Sequence, residues 1–562
     1  MLAGANHLAA QDSIGVTDLI SAEKLFDLKF TAVKRDSILS GLEDHRQLYR
    51  YEHSQNLPNN VPLSLGFDPL LPGTPYERHQ RPIQWSVPTE VVLPDNRADL
   101  AYYSLFELAS LIKRKKISSV DLTKFFLERL KSYGPLLHNV IELTEDSALE
   151  QARRADADLA KGVYRSPLQG IPYGIKDLFA VRGTHTTWGT PPYRDQVIDQ
   201  SAYVADQLEE AGAVLVAKLS LGELAEDDVW FGGLTRNPWN PSTGSGGSSA
   251  GSASATAAGL VPFAIGTETY GSIVDPSMRC GVTGLRPTFG SIARTGCMAL
   301  CWSSDKVGII GRSAEDAAMV FAYLHGGDSA DASSRTMPFN YTGKINLAKL
   351  KIAYTRNYID TLNDNSPEKQ TLLILKKMGA RLIPVDFPDD LHGNDILSLI
   401  IGVESAAAFD KLTRSNRDDE MVQQNKDRWP NTFRTARFVP AVEYVNACRL
   451  RSVIMQKVDP FIAQYDVIIA PPETGDQLAI TNLTGHPTVV FPMGFHDRAG
   501  RQVPGSVTLT GRLYDEATLM AVAWAFQQAT GDHRKRPPLE VYLAEDEKRQ
   551  ELEKLKPKGA AG

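Results

Sequence analysis

NPWNPSTGSGGSSAGSASATAAGLVPFAIGTETYGSIVDPSMRCGVTGLRPTFG, residues Asn237 to Gly290, carries more structural information than any other part of the chain. A glycine- and serine-rich loop leads into a run of serines and alanines after Ser249. An apolar segment, LVPFAIG, follows, and then a second turn of small residues ends at Ser272. Flexible linkers share the composition of the first part but do not run directly into core segments. The stretch is therefore expected to be ordered: glycines allow positive φ and close backbone approach, and the Ser/Ala run forms a tightly packed helix.

Three chemistries use such a loop. Phosphate cradling needs a lysine behind the glycines, and none follows; the dinucleotide pattern also fails, because Ser249 stands where Gly244-x-Gly246 needs its third glycine. A nucleophile elbow is formally present in GSSAG, Gly247 to Gly251, with Ser249 as nucleophile and His325, His392, His486, His496 and His533 as nominal bases. That motif needs a buried strand just before it, and RNPWNPSTG occupies the place. The third chemistry is a serine activated by lysine, which works only where burial or neighbouring cations bring the lysine pKa towards neutrality. Lys176 lies in GIPYGIKDLF, flanked by Ile171, Ile175, Leu178 and Phe179. Alternatively its ammonium pairs with Asp177 or a helix C-terminus.

Outward from these segments, strand-like and helical runs alternate. NVIELT, IPYGIKDLFA and AVLVAKL are separated by the helical ALEQARRADADLAKG and SAYVADQLEEAG; KIAYT, RLIPVDF, DVIIAPP and TVVFPMGF recur later with helices such as EATLMAVAWAFQQAT. The alternation predicts an α/β layer fold. No repeat or charge-rich linker divides residues 96–545, which read as one large domain. It begins with two amphipathic helices in DLAYYSLFELASLIKRKKISSVDLTKFFLERLKSYGP, the second opened by the cap signal SSVD. Residues 1–95 form an arm: helical SAEKLFDLKF and KRDSILSGLEDHRQLYRYE, then a proline-rich strap lying on the main body. Covering the mouth of the site and mediating a homodimer are the two roles open to it. Residues 546–562 read as a solvated helical tail.

Composition narrows the function classes. A formal charge of -7 gives no basic footprint for a nucleic-acid partner. Cys280, Cys297, Cys301 and Cys448 are too few for a disulfide scaffold in 562 residues, so reduced thiols and a cytoplasmic setting are expected. No apolar run reaches the roughly 18 residues that span a bilayer. The start, MLAGANHLAAQDSIGV, lacks a basic n-region, although a mature exported form would read the same. Cys297 and Cys301 are at helical spacing without a matching Cys/His pair, so no metal is expected.

Several motifs in order resemble the amidase signature family, which hydrolyses amides with a Ser-cisSer-Lys triad. They are GIPYGIKD, GGSSAGSA, GTETYGSI and CGVTGLRPTFG, supported by TRNPWNP, LEEAGAVLVAKL, SSDKVGIIGRS, NLTGHPTVVFPMG and TGRLYDEATLMAVAWAFQQAT, together covering about residues 100 to 535. The resemblance implies a large mixed β-sheet covered by helices on both faces. It implies Lys176 as acid/base, Ser248 as the bridging serine after a cis Gly247–Ser248 peptide, and Ser272 as nucleophile. The oxyanion hole falls on the backbone N–H groups of Thr269, Tyr270, Gly271 and Ser272. A carboxamide, with esters or anilides as further substrates, would be cleaved through an acyl-enzyme without an organic cofactor. Two other functions fit the same scaffold: an A-type component of a glutamine-dependent amidotransferase, which hands ammonia to a partner protein, and a catalytically inactive binding protein.

The chain departs from the family pattern Thr-Gly-Gly-Ser-Ile-Arg, having Tyr270 in place of glycine and Val274 in place of arginine. Tyr270 either shapes the acyl pocket or packs on the core. Arg279 is expected to restore a buried charge partner, for Asp275. Resemblance also brings Met298, Cys301 and Trp302 near the pocket as candidate substrate contacts, with core packing as the alternative. DDVWF, Asp227 to Phe231, clusters acids and aromatics in what could equally be a solvated turn.

Overall fold

Each apolar run of the alternating pattern becomes a strand of a single sheet in the computed structural model, which describes residues 14–61, 64–88, 90–498 and 500–554. The first six strands are β1 (Val140–Leu143), β2 (Pro172–Lys176), β3 (Val214–Leu219), β4 (Phe263–Glu268), β5 (Thr283–Arg286) and β6 (Lys306–Gly311). The others are β7 (Ile352–Thr355), β8 (Leu382–Val385), β9 (Val467–Ala470), β10 (Thr488–Arg498) and β11 (Arg501–Thr510). Their spatial order is β1-β3-β2-β4-β6-β5-β10-β11-β9-β7-β8. β2 runs parallel to β3 and β4, whereas β6 is antiparallel to β4 and β5. The sheet is therefore mixed.

Every residue of β2, β3 and β6 is buried, the signature of strands covered on both faces. Side chains alternate accordingly. Val214 and Val216 of β3 and Ala264 of β4 join one apolar cluster with Leu127, Leu130 and Ala148; Leu215, Phe263 and Ile265 join a second, larger cluster.

The arm consists of α1 (Val16–Leu25), α2 (Ala32–Ser54) and an extended strap. The strap is fastened to the main body at successive points: Asn59 at Ala299, Phe67 beneath the Arg451 guanidinium, Asp68 at Arg335 (2.9 Å), and Gln84 at Tyr341 and Gly343. Helices α3 (Leu105–Lys113) and α4 (Ser119–Leu137) follow. Ser118 of the SSVD signal accepts the Asp121 N–H at 3.0 Å and opens α4 as predicted. Next come α5 (Glu145–Ala160) and α6 (Tyr203–Glu210). The C-terminal helix, Leu539–Lys554, is anchored by buried Leu539 and Tyr542 before it reaches solvent; residues 555–562 of the expected tail lie outside the described residues.

The opening stretch forms the centre of the molecule. The Ser/Ala run is α7 (Ala250–Ala257), buried at every residue and tied to β4 by Ser252, whose hydroxyl donates to the Ile265 carbonyl at 3.0 Å. β4 ends in the turn around Ser272, and α8 (Val274–Cys280) leads away from it. Among the described residues no helix is long and apolar enough to cross a membrane.

Candidate active site

Lys176 is the last residue of β2 and is fully buried. Its Nζ lies 2.9 Å from Ser248 Oγ, 3.1 Å from Ser249 Oγ and 2.9 Å from Thr267 Oγ1. The pairing with Asp177 does not occur: Asp177 is engaged by Lys218, itself fully buried, at 2.6 Å. Lys176 thus faces hydroxyls and the Thr267 carbonyl, with no carboxylate among its hydrogen-bond partners. Burial pushes its pKa from 10.5 down to about 7, against the opposing pull of Asp305 and Glu268. A lysine of that pKa can both take and return a proton at neutral pH.

Ser248 sits after the cis Gly247–Ser248 peptide. The loop before it is held by two carboxylates, Asp228 accepting the Gly246 N–H (2.9 Å) and Asp275 the Gly247 N–H (2.8 Å). Gly247 packs so closely that a Cβ there would lie 1.8 Å from the Asp227 carbonyl oxygen. DDVWF is therefore a loop support rather than a solvated turn, at least at Asp228, which is buried. Ser249 does not stand where an elbow nucleophile would: its side chain is buried against Lys176 and Thr267, and its N–H donates to the Ser272 carbonyl at 3.1 Å.

The turn from Thr269 to Ser272 follows β4 with Gly271 at φ +82°, a conformation that suits glycine. Among the described residues, the backbone N–H groups of Tyr270, Gly271 and Ser272 meet no acceptor. Three successive N–H donors without a protein acceptor beside the Ser272 cavity are free to receive an anion. Thr269 is clamped from both sides. Its hydroxyl donates to Asp305 Oδ1 at 2.6 Å, and its carbonyl accepts from Ser304 Oγ at 2.9 Å. Carbonyl and N–H of one trans peptide point in opposite directions, so fixing the Thr269 carbonyl also aims the Tyr270 N–H.

Glu268 supplies the other anchor of this turn. One carboxylate oxygen accepts the N–H groups of Ile273 and Val274 at 2.8 and 3.0 Å; the second accepts from Arg286 at 2.9 Å and Asn482 at 2.8 Å. Burial acts to raise its pKa, but Arg286, together with these hydrogen bonds and Lys306, brings it down to about 2. Arg286 also donates to Thr481, His486 and Thr488. The buried ion pair is therefore Glu268–Arg286. The expected buried pair at Asp275 is corrected: Arg279 does bond Asp275, one helical turn away, but its side chain is 51% exposed.

Ser272, Thr269, Tyr270 and Gly247 line a cavity of about 290 Å³, whose other walls include Glu226, Ile401 and Trp429. Burial raises the pKa of Glu226 to about 7 although the Trp429 N–H bonds it. Tyr270, one of the cavity walls, is 39% exposed and its hydroxyl donates to Asn394 at 2.9 Å, so it is not packed in the core. Met298 and Trp302 line a neighbouring cavity of about 260 Å³. Cys301 lines neither; it is fully buried with Sγ 3.4 Å from Glu404, which makes it a packing residue and corrects the expectation of a substrate contact. Among the described residues no cluster of three or more His, Cys, Asp and Glu side chains is arranged to hold a metal.

Sequence reasoning missed Thr267, Glu268, Ser304 and Asp305, and singled out Asp228 only as part of DDVWF, without its role in holding the loop. An acid at the end of an apolar strand, as in AIGTE, was the available signal for Glu268. The others required knowing which loops meet.

Comparison with known proteins places these features in context. Residues 121–520 match the family model described as Amidase. The A-type component of glutamyl-tRNA(Gln) amidotransferase from Coxiella burnetii is 33% identical over 487 residues, covering 78% of this chain and 99% of the relative. Among solved structures, the peptide amidase of Stenotrophomonas maltophilia superposes with a TM-score of 0.68 at 28% identity, over 77% of this chain and 98% of that one. The corresponding amidotransferase component of Thermotoga maritima gives a TM-score of 0.63 at 23% identity, over 77% and 96% of the two chains, a likeness of fold.

Proposed function

The chain belongs to the amidase family, and we propose that it hydrolyses a carboxamide through an acyl-enzyme on Ser272. The observation that carries this reading is the buried Lys176, brought to a pKa of about 7 and bonded only to hydroxyls and a carbonyl, next to a cavity lined by Ser272. Ser272 attacks the amide carbon while Ser248 takes its proton and passes its own to neutral Lys176. The unpaired N–H groups of Tyr270, Gly271 and Ser272 receive the oxyanion; each such donor typically lowers the barrier by about 3 kcal/mol. The lysine ammonium then returns a proton through Ser248 to the departing nitrogen, the hard step for an amide. Water, activated by the same pair, releases the acid.

Residues 96–545 carry this chemistry in our reading, with 1–95 as an added arm. A fluorophosphonate probe tests the nucleophile: it labels the wild type and not Ser272→Ala, and failure to label the folded wild type rejects the mechanism. The identity to amidotransferase components of the A type supports a second reading, in which glutamine is the amide and the ammonia passes to a partner protein. Hydrolysis of simple amides by the isolated chain at full rate favours the free-standing enzyme; turnover only of glutamine, and only with a partner, favours the amidotransferase.

A further inference from the structure

The arm lies outside the matched family region, yet it reaches the active site. Asn59 bonds the loop at Ala299 twice, its amide donating to the Ala299 carbonyl (2.8 Å) and its carbonyl oxygen accepting the Ala299 N–H (2.8 Å). Asn59 and Asn60 thereby become walls of the 260 Å³ cavity, together with Leu178, Met298, Leu300 and Trp302. This cavity shares Ala225, Thr269 and Leu300 with the cavity that holds Ser272. It also includes Thr267, whose hydroxyl is 2.9 Å from Lys176 Nζ. Through Thr267 this chamber meets the relay at the lysine, whereas the Ser272 chamber meets it at Gly247, beside Ser248.

We propose that the arm completes an amine-side chamber, in which Asn59 and Asn60 help select N-substituted amides with an uncharged apolar amine group of about the size of a benzyl. The proposal rests on Ser272 as nucleophile and Lys176 as proton donor. The departing nitrogen receives its proton from Lys176 by way of Ser248, and the proposal sets the substituent it carries on the lysine's side of that relay. Charge in the chamber is already spoken for. Arg294 is bound to Asp331 and to the carbonyls of Trp302 and Asp305; Asp305 accepts from Thr269 and from the N–H groups of Leu300 and Cys301; Lys306 is turned to Ser304. Asn59 spends its amide on Ala299. What is left uncommitted on the walls is Leu178, Met298, Val307 and Trp302, with Gln200 and the Thr295 hydroxyl, unpartnered among the described residues, as the polar exceptions, which suits an apolar group and offers a cation no carboxylate free of hydrogen bonds.

The test compares acetyl, hexanoyl and benzoyl amides, each as the primary amide and as the N-benzyl amide, on wild type, Met298→Trp and Asn60→Trp. Both variants add bulk to the chamber, and Asn60 is exposed, so that variant keeps the fold. The expected result is N-benzyl cleavage by the wild type, with the N-benzyl to primary ratio of kcat/KM lowered at least about tenfold in both variants. A wild type that labels with fluorophosphonate at Ser272 but cleaves no N-benzyl amide overturns the chamber while leaving the nucleophile standing. An unchanged ratio, or equal losses on both amides, overturns it as well. Absence of labelling at Ser272 rejects the reading beneath it, and the chamber with it.

Discussion

Lys176→Met should make the protein more stable while abolishing turnover. The unfolded chain holds this lysine's proton up to pH about 10.5, whereas the folded chain releases it above about 7, so unfolding takes up a proton between those values. The contribution of Lys176 to stability is complete above pH 10.5, declines by about 1.4 kcal/mol for each unit of falling pH, and levels off below 7. At pH 7 the forgone stability is roughly 4 kcal/mol, and at pH 9 roughly 2 kcal/mol. Methionine fills a similar volume without the charge, at the loss of the hydrogen bonds to Ser248, Ser249 and Thr267, worth about 1 kcal/mol each. The variant is therefore expected to gain about 1–3 kcal/mol at pH 7 and to lose about 2 kcal/mol of that advantage by pH 9. Urea unfolding of both proteins at the two pH values, followed by tryptophan fluorescence, measures the difference. Other titrating groups are common to both proteins and cancel. A variant less stable than the wild type by the same amount at both pH values would refute the claim that Lys176 is buried near neutrality.

The same lysine sets the pH profile: kcat/KM should fall about tenfold per unit as pH drops below about 7, because the base must be neutral to accept the Ser248 proton, and a profile flat from about pH 5.5 to 8 would contradict it. Ser304→Ala leaves the Thr269–Tyr270 peptide free to turn and should lower kcat by about ten- to a hundredfold with KM changed by less than about threefold; a rise in KM at constant kcat would point to pocket damage instead. Arg286→Met strands the Glu268 carboxylate in the core and should cost about 3–5 kcal/mol in urea unfolding, whereas Arg279→Ala on the exposed face should cost less than about 1 kcal/mol; similar costs for the two would contradict the assignment of the buried pair.

Periodicity was enough to recover most of the sheet. The central residues of NVIELT, IPYGIKDLFA, AVLVAKL, KIAYT, RLIPVDF, DVIIAPP and TVVFPMGF form strands, although DLFA, DF and PP at their ends do not, because short apolar runs bounded by turn residues have few other ways to be buried. β11 gave no such signal, since its sequence RQVPGSVTLT contains a proline and a glycine and is apolar only towards its end. Strand order was not legible either. It depends on pairings such as β5 with β10, between residues 284–286 and 488–490, which no local pattern encodes.

For the site, local sequence determined which residue types could do chemistry: a lysine in an apolar strand, serines beside glycines that let the backbone turn, and a run of small residues that leaves amides uncovered. Tertiary structure decided where each of them sits and what it meets. Asp177 was the obvious partner of Lys176 until Lys218 came across from β3 to take it, leaving the lysine among hydroxyls. Ser249 matched the elbow pattern only formally, with RNPWNPSTG in place of the strand before it, and its burial against Thr267 removes it from the cavity. Arg279 was the nearest cation to the altered turn, but it lies on the outer face of α8, and Arg286 supplies the buried charge from β5. In each case the deciding quantity is the desolvation of a charge or hydroxyl. Burial is set by the whole fold, so no short stretch of sequence contains it.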